Sequence, residues 1–424
     1  MSGEVTRVGV IGLGYVGLPL ALAMTDAGYE VVGVDIDEER IGSLLDGRSY
    51  VNDVDDGRVS AAVQQGFEPT TEYDALETVD AVSICVPTPM RKSGTPNLSY
   101  VASAVEELAD VVPEGCTVIL ESTVYPGATE EFVAQTLTEN GLTVGENIFV
   151  AFSPERIDPG NEQYGPTDIP KVLGGVTTAC GDRAEALYEP VFDKVVRVDS
   201  ATEAELVKLL ENTFRAVNIG LINELAQIAH TLDVNIWNAI DAAATKPFGY
   251  MPFYPGPGLG GHCIPVDPMF LSWQANQQGI ETQFIDIADQ INREMPDHVV
   301  QRVVKQLNDR GMALSNAEIM ILGVAYKPDV SDTRESPAID IIDHLIDWGA
   351  SITYHDPLVP SLTVPRGSYE SVELTPQRLI DADCVLIITD HTCFDIETIV
   401  DHAPLVFDTR NATSGYEDDN IVRL

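Results

Sequence analysis

Short apolar runs recur down the first half of the chain, separated by stretches with helical spacing. The runs are Arg7–Ile11, Glu30–Val34, Ala81–Val86, Thr117–Leu120 and Asn147–Ala151. They are apolar at consecutive rather than alternate positions, which predicts strands covered on both faces. Leu18–Ala27 and Tyr100–Val111 predict helices between them. Regular alternation of this kind predicts a doubly wound parallel sheet, closing near residue 200.

Ala201 to Leu232 then contains no proline and one glycine, with apolar residues at Leu206, Leu209, Leu210, Phe214 and Val217. This spacing predicts one long helix, continuing into a helical Val234–Ala244. A proline- and glycine-rich loop, Pro247 to Pro268, interrupts, and helix is expected again from Met269 to about Gly311. A second α/β module follows, with strands at Ile319–Gly323, Ser351–Tyr354, Cys384–Ile388 and Leu405–Phe407 and a helix at Ala338–Trp348. The expected fold class is α/β: two Rossmann-like doubly wound domains joined by a long central helix and a helical dimerisation region. The expected spans are 1–200, 201–310 and 311–424.

Charge changes the picture. The 424 residues hold 67 Asp and Glu against 24 Lys and Arg, a formal net charge of −43. Only seven of the basic residues are lysines. A surface this acidic argues against nucleic-acid and anionic-membrane partners, which need basic patches. The acidity is spread over clusters at Asp35–Arg40, Asp53–Asp56, Asp381–Asp383 and Glu417–Asp419 rather than confined to a tail. Self-repulsion of this size is tolerable in concentrated salt, so we expect a halophile's cytoplasm. Six scattered cysteines without a CxxC pair argue against a disulfide framework or a zinc site, and no metal is expected. The apolar Val8–Met24 could pass for a signal peptide, but Gly9, Gly12, Gly14, Gly17 and Pro19 break it. A cytoplasmic protein is expected.

Those glycines have a better use. Gly12-Leu13-Gly14-Tyr15-Val16-Gly17 is GxGxxG between a predicted strand and a predicted helix. In that setting the glycines permit a tight turn, close approach of a pyrophosphate, and packing of helix on strand. Asp35 ends the second strand, where a carboxylate accepts hydrogen bonds from both ribose hydroxyls and repels a 2′-phosphate. NAD is therefore expected over NADP.

The most informative segment is Pro255-Gly256-Pro257-Gly258-Leu259-Gly260-Gly261-His262-Cys263-Ile264-Pro265-Val266-Asp267. It cannot form regular helix or strand, so it is a shaped loop whose amides can wrap an anion. It presents a thiol with a carboxylate four residues on. A lone cysteine is more often a small buried hydrophobe, but the cofactor motif and the glycine loop argue otherwise.

Together these features resemble the UDP-glucose/GDP-mannose dehydrogenase superfamily of NAD-dependent nucleotide-sugar 6-dehydrogenases. The resemblance runs through Gly12–Pro19, Val86-Pro87-Thr88-Pro89, Glu121-Ser122-Thr123-Val124-Tyr125-Pro126-Gly127 and Ser153-Pro154-Glu155-Arg156. It continues through Lys208 to Asn212, the cysteine loop, and Lys327 to Asp332-Thr333-Arg334-Glu335-Ser336. It implies an NAD-binding domain first and a UDP-binding domain last, and a homodimer or larger assembly.

The resemblance also implies chemistry. C6 of the sugar is oxidised to an aldehyde, captured by the Cys263 thiolate, oxidised again to a thioester and released by water. Lys208 is implied to stabilise oxygen charge and Asp267 to serve as general base or to position water. Thr123 and Glu155 match the water site and its proton relay, and Asn212 a substrate-orienting position. Tyr15, Val16, Arg40, Pro87, Thr88, Thr123 and Arg334 are implied on the cofactor side. On the substrate side stand Arg156, Arg215, Tyr254, Gly258, Gly260 and Lys327, with Lys246 offered to a neighbouring subunit. Plainer readings exist: Lys208 as a surface lysine, Glu155 with Arg156 as a surface ion pair, Thr123 as a strand residue.

Val266, His262, Arg215, Asn218 and Asp158-Pro159-Gly160-Asn161 look like the N-acetylhexosamine branch. Pro159 stands where the UDP-glucose branch often has a second glutamate, which argues against a two-glutamate relay. The run Lys246 to Gly258 resembles UDP-N-acetylglucosamine 6-dehydrogenases, so that substrate is expected first, UDP-N-acetylmannosamine second and UDP-glucose third. A silent nucleotide-sugar sensor and a two-electron alcohol dehydrogenase are the alternatives of other classes.

Overall fold

The structure, a computed structural model, describes residues 5–51, 54–91, 93–157 and 167–424. Asp53 and Asp158–Asn161 lie outside them. The described chain packs as two compact units, one of residues 1–211 with 269–280, the other of 212–268 with 281–424.

The first unit holds an eight-stranded sheet. Its strands are β1 (Arg7–Ile11), β2 (Glu30–Val34), β3 (Phe67–Thr70), β4 (Ala81–Ile84), β5 (Thr117–Leu120), β6 (Phe149–Phe152), β7 (Lys171–Gly175) and β8 (Val195–Arg197). The spatial order is β3-β2-β1-β4-β5-β6-β7-β8, parallel except where β7 runs against β6. Val8, Val10, Val31, Val82 and Ile119 are almost completely buried, as expected of strands covered on both faces. Strand order reverses at β1, where Ile11 pairs with Val34 on one side and Ile84 on the other. In such sheets ligands bind beyond the carboxyl ends of the strands at this reversal, and Gly12 and Asp35 are the residues that leave the sheet there.

The second unit carries a parallel sheet ordered β10-β9-β13-β14-β15, from β9 (Glu318–Leu322), β10 (Ser351–His355), β13 (Cys384–Ile387), β14 (Val406–Asp408) and β15 (Ile421–Arg423). A hairpin of β11 (Ser361–Val364) and β12 (Gly367–Glu370) sits beside it in sequence. The helices Gln283–Asp309 and Pro337–Asp347 supply core side chains against this sheet, among them Val299, Val303, Ile341 and Leu345.

Two helix expectations are corrected. The long helix ends at Thr231 rather than running on: Asp233 takes a left-handed φ of 55°, Val234 N–H bonds back to Ala229 C=O, and Asn235 caps a new helix, Ile236–Ala244, through Asn238 N–H. The stretch from Met269 to Gly311 is two helices, Asp267–Gln277 and Gln283–Asp309. The first closes with Ile280 N–H bonded to Ala275 C=O around Gly279, whose φ is 76°, a Schellman-type ending that satisfies the last carbonyls.

Candidate active site

In the first unit, the turn after β1 is built by close approach. Gly12 has φ 87°, and a Cβ on Gly17 would stand 1.8 Å from Gly12 O. A Cβ on Gly14 would meet nothing within 4 Å, so the space over Gly14 is open and its glycine answers to no protein contact. That opening, at the start of the helix Gly17–Asp26, is the room a dinucleotide pyrophosphate needs. Asp35 is buried and accepts from Leu13 N–H at 2.8 Å and Asp37 N–H at 3.0 Å, with Arg40 Nη1 at 3.4 Å. Thr88 is buried, while Tyr15 and Pro87 are exposed. These residues fit NAD.

Beyond the carboxyl ends of β5 and β6, on the same edge of the sheet, lies a charged cluster. Lys171, the first residue of β7, is 3% exposed. Its Nζ lies 2.6 Å from Glu121 Oε2 and 3.3 Å from Glu155 Oε2. Glu121 also accepts from the Tyr188 hydroxyl, which lies 3.0 Å from Ser83 Oγ. Glu155 Oε1 accepts from Arg156 N–H at 2.6 Å and Ile157 N–H at 2.7 Å. Burial pushes both carboxyls up; for Glu121 that wins. For Glu155, Lys171, Lys208 and the two backbone N–H groups outweigh it and hold the carboxyl below its ordinary range.

Lys208, on the helix Ala201–Thr231, donates to Glu155 C=O at 2.7 Å, so it is half-buried and engaged rather than a loose surface lysine. Nor is the Arg156 guanidinium the ion-pair partner of Glu155, whose carboxylate takes from Arg156 only the backbone N–H. Arg156 instead grips Glu211 at 3.1 and 2.5 Å and Pro170 C=O at 2.8 Å. Thr123 is half-buried in the loop after β5. One turn before Lys208, Glu205 is buried and accepts from Gly127 N–H at 2.5 Å, Thr129 N–H at 2.8 Å and Thr129 Oγ1 at 2.6 Å. It clamps the Thr123–Thr129 loop, and burial pushes it up to about 7 against those three hydrogen bonds.

In the second unit, Cys263 and Cys393 are exposed and Cys384 is buried; Cys85, Cys116 and Cys180, in the first unit, are buried too. Asp267 N–H bonds to Cys263 C=O at 2.8 Å, which makes Cys263 to Asp267 one turn of chain leading into the helix Asp267–Gln277. Asp267 is buried, and Asn212 Nδ2 donates to it at 2.6 Å. Behind the loop, Asn223 Oδ1 accepts from Gly256 N–H at 3.0 Å, and Asn223 Nδ2 donates to Asn292 at 2.9 Å.

The loop's glycines are demanded largely by packing. Cβ atoms on Gly260 and Gly261 would come within 2.7 and 2.9 Å of Tyr326 side-chain atoms, and Gly258 is buried against Pro337 and Asn292. Gly261 N–H also bonds to Arg334 C=O at 3.0 Å, joining the cysteine loop to the Lys327–Arg334 segment after β9. Arg334 itself holds Asp332, at 3.0 and 2.6 Å. Of the other sequence candidates, Arg215 is exposed, Lys246 lies over the Phe248 ring, and Tyr254 stacks on Trp237 and donates to Asp241.

Sequence reasoning missed Lys171, Glu205 and Tyr188, and gave Glu121 no role. A signal existed for Lys171: it is one of seven lysines and opens an apolar strand.

Residues 6–192 match the NAD-binding domain of the UDP-glucose/GDP-mannose dehydrogenase family, 202–294 its central domain and 320–415 its UDP-binding domain. The chain belongs to this family. It is 35% identical over 398 residues to the UDP-N-acetyl-D-mannosamine dehydrogenase of Methanococcus aeolicus, covering 92% of this chain and 86% of that one. It is also 35% identical over 382 residues to the UDP-N-acetyl-D-glucosamine 6-dehydrogenase of Pseudomonas aeruginosa, covering 87% and 89%. Among solved structures, a UDP-D-ManNAc dehydrogenase from Pyrococcus horikoshii superposes with a TM-score of 0.90 at 32% identity over 99% of both chains. The protein is thus an oxidoreductase, an NAD-dependent UDP-sugar dehydrogenase. Among the described residues no helix is long and apolar enough to cross a membrane.

Proposed function

We propose that this dehydrogenase oxidises the C6 hydroxyl of a UDP-N-acetylhexosamine to the carboxylate, with Cys263 as the covalent nucleophile. The observation that carries this reading is an exposed thiol one turn of chain before a buried aspartate that an asparagine holds. When bound, NAD⁺ supplies hydride acceptance for each oxidation. Cys263 adds to the aldehyde from the first oxidation, giving a thiohemiacetal, which the second oxidation turns into a thioester that water cleaves. Asp267, oriented by Asn212, takes up the proton that the thiol or the attacking water releases. Lys208 stabilises the oxygen charge that develops at C6. Thr123 and Glu155 hold and activate the water. Lys327 and Arg334 attract phosphates, and Asp35 takes the adenosine ribose.

For the sugar, the mannosamine epimer stands first. The sequence motifs alone favour the glucosamine epimer, but the M. aeolicus relative and the P. horikoshii structure are both named for the mannosamine compound. UDP-N-acetylglucosamine is the second reading, supported by the P. aeruginosa relative. Comparing kcat/KM for both epimers and UDP-glucose tests the order; a clear preference for UDP-glucose would overturn the hexosamine assignment. Counting NADH tests the chemistry. Two NADH per sugar is expected, one marks a two-electron alcohol dehydrogenase, and none marks a sensor.

The charge of −43 supports a cytoplasm of molar salt; full activity in dilute buffer with loss in molar salt would refute it. Exposed Leu221, Leu225 and Ile228 on the long helix, with Leu232 just past its end, support a homodimer or larger assembly, which sedimentation would measure.

A further inference from the structure

We propose that Lys171, anchored by Glu121, is the positioning residue for the Glu155 carboxylate, and that Glu121 supplies this site's second glutamate from β5's end in place of the one absent at Pro159. The proposal rests on the reading of Glu155 as the water relay.

The geometry leaves Glu155 no freedom. One carboxylate oxygen is taken by two backbone N–H groups, at 2.6 and 2.7 Å, and the other faces Lys171 Nζ at 3.3 Å. The carbonyl of the same residue holds Lys208 at 2.7 Å. A shift of Glu155 therefore moves both the relay carboxylate and the contact that aims Lys208. Lys171 is itself immobilised: Glu121 grips it at 2.6 Å, and the Tyr188 and Phe192 rings lie 5.5 and 5.2 Å from its ammonium. Tyr188 and Ser83 complete the anchor behind Glu121.

Stability alone does not account for such a cluster. Burying each ion costs several kcal/mol, and a packed apolar substitute is commonly as stable or more so. Two carboxylates also share one ammonium here, an arrangement that sets protonation rather than adding strength. The other titratable groups around Lys171 are Tyr188 and Cys85, both pushed up chiefly by burial.

The test is a set of variants assayed with UDP-N-acetylmannosamine, or with its epimer if that is the one oxidised. Lys171→Met is expected to lower kcat about 10- to 100-fold with both KM values little changed. It should also move the acid limb of the kcat–pH profile upward, because Glu155 loses its cation. Lys171→Arg should restore most of the rate. Glu121→Gln should move the acid limb the opposite way, since Lys171 then serves Glu155 alone. A structural staple predicts no opposed shifts. A folded Lys171→Met with wild-type kcat and pH profile overturns the proposal. Should that variant fail to fold, Glu121→Gln decides: an acid limb unmoved or moved upward overturns it. Glu155→Gln separates the two readings. If it turns over normally, the relay assignment fails; if it is inactive while Lys171→Met is not, only Lys171's role fails.

Discussion

Asn212 donates to Asp267 across 2.6 Å, joining the long helix to the first turn of the helix that follows Cys263. The bond pins the carboxylate one turn from the thiol. Replacing Asn212 with Leu keeps the volume and removes a donor from a buried acid. We expect about 1–3 kcal/mol of lost stability by urea unfolding and a kcat loss larger than any change in the KM for NAD. Unchanged kcat would mean that Asp267 needs no orientation from this side.

Gly14 and Gly17 separate cofactor binding from folding. Gly14→Ala places its methyl in open space, so unfolding free energy should stay within about 0.5 kcal/mol while the Kd for NADH, read by fluorescence, rises at least about tenfold. Gly17→Ala forces its methyl onto Gly12 O and should cost stability as well. Equal NADH affinity in Gly14→Ala would rule out a pyrophosphate over that residue.

Asp35 holds Leu13 N–H and Asp37 N–H, and in the proposed function it also takes the adenosine ribose. Asp35→Ser should narrow the NAD over NADP preference in kcat/KM by roughly tenfold or more, with a modest loss of thermal stability. A preference as strong as wild type would place cofactor discrimination elsewhere.

Glu205 titrates near neutrality, pushed up to about 7 from an ordinary 4.5 by burial. A raised folded-state value favours the folded chain fully below pH 4.5, and that contribution disappears as pH climbs through 7. The swing is on the order of 3 kcal/mol. Glu205→Gln removes the titration, so wild type should lose ground to the variant between pH 5 and pH 8 in parallel urea melts. A gap independent of pH would refute the raised value.

Much of this molecule is legible in one dimension because its signals are local. A doubly wound strand is apolar at consecutive positions, so Arg7–Ile11 and Glu30–Val34 can be read to the residue. GxGxxG, Asp35 and the Cys263-to-Asp267 spacing likewise depend on backbone demands within a few dozen residues. Helix ends were less legible: Asp233 and Gly279 stop helices through left-handed residues inside otherwise helical patterns.

What only tertiary structure decided are pairings between distant residues. Lys171 meets Glu121 from 50 positions away, and Glu205 reaches Thr129 from 76. Periodicity carries no record of such contacts, because a buried charge is placed by whichever strand happens to lie beside it. The sequence by itself therefore determined the layers, the cofactor turn and the spacing of Cys263 and Asp267. Packing decided which acids share a cation, which lysine is held in place, and why the cysteine loop has no room for side chains at Gly260 and Gly261.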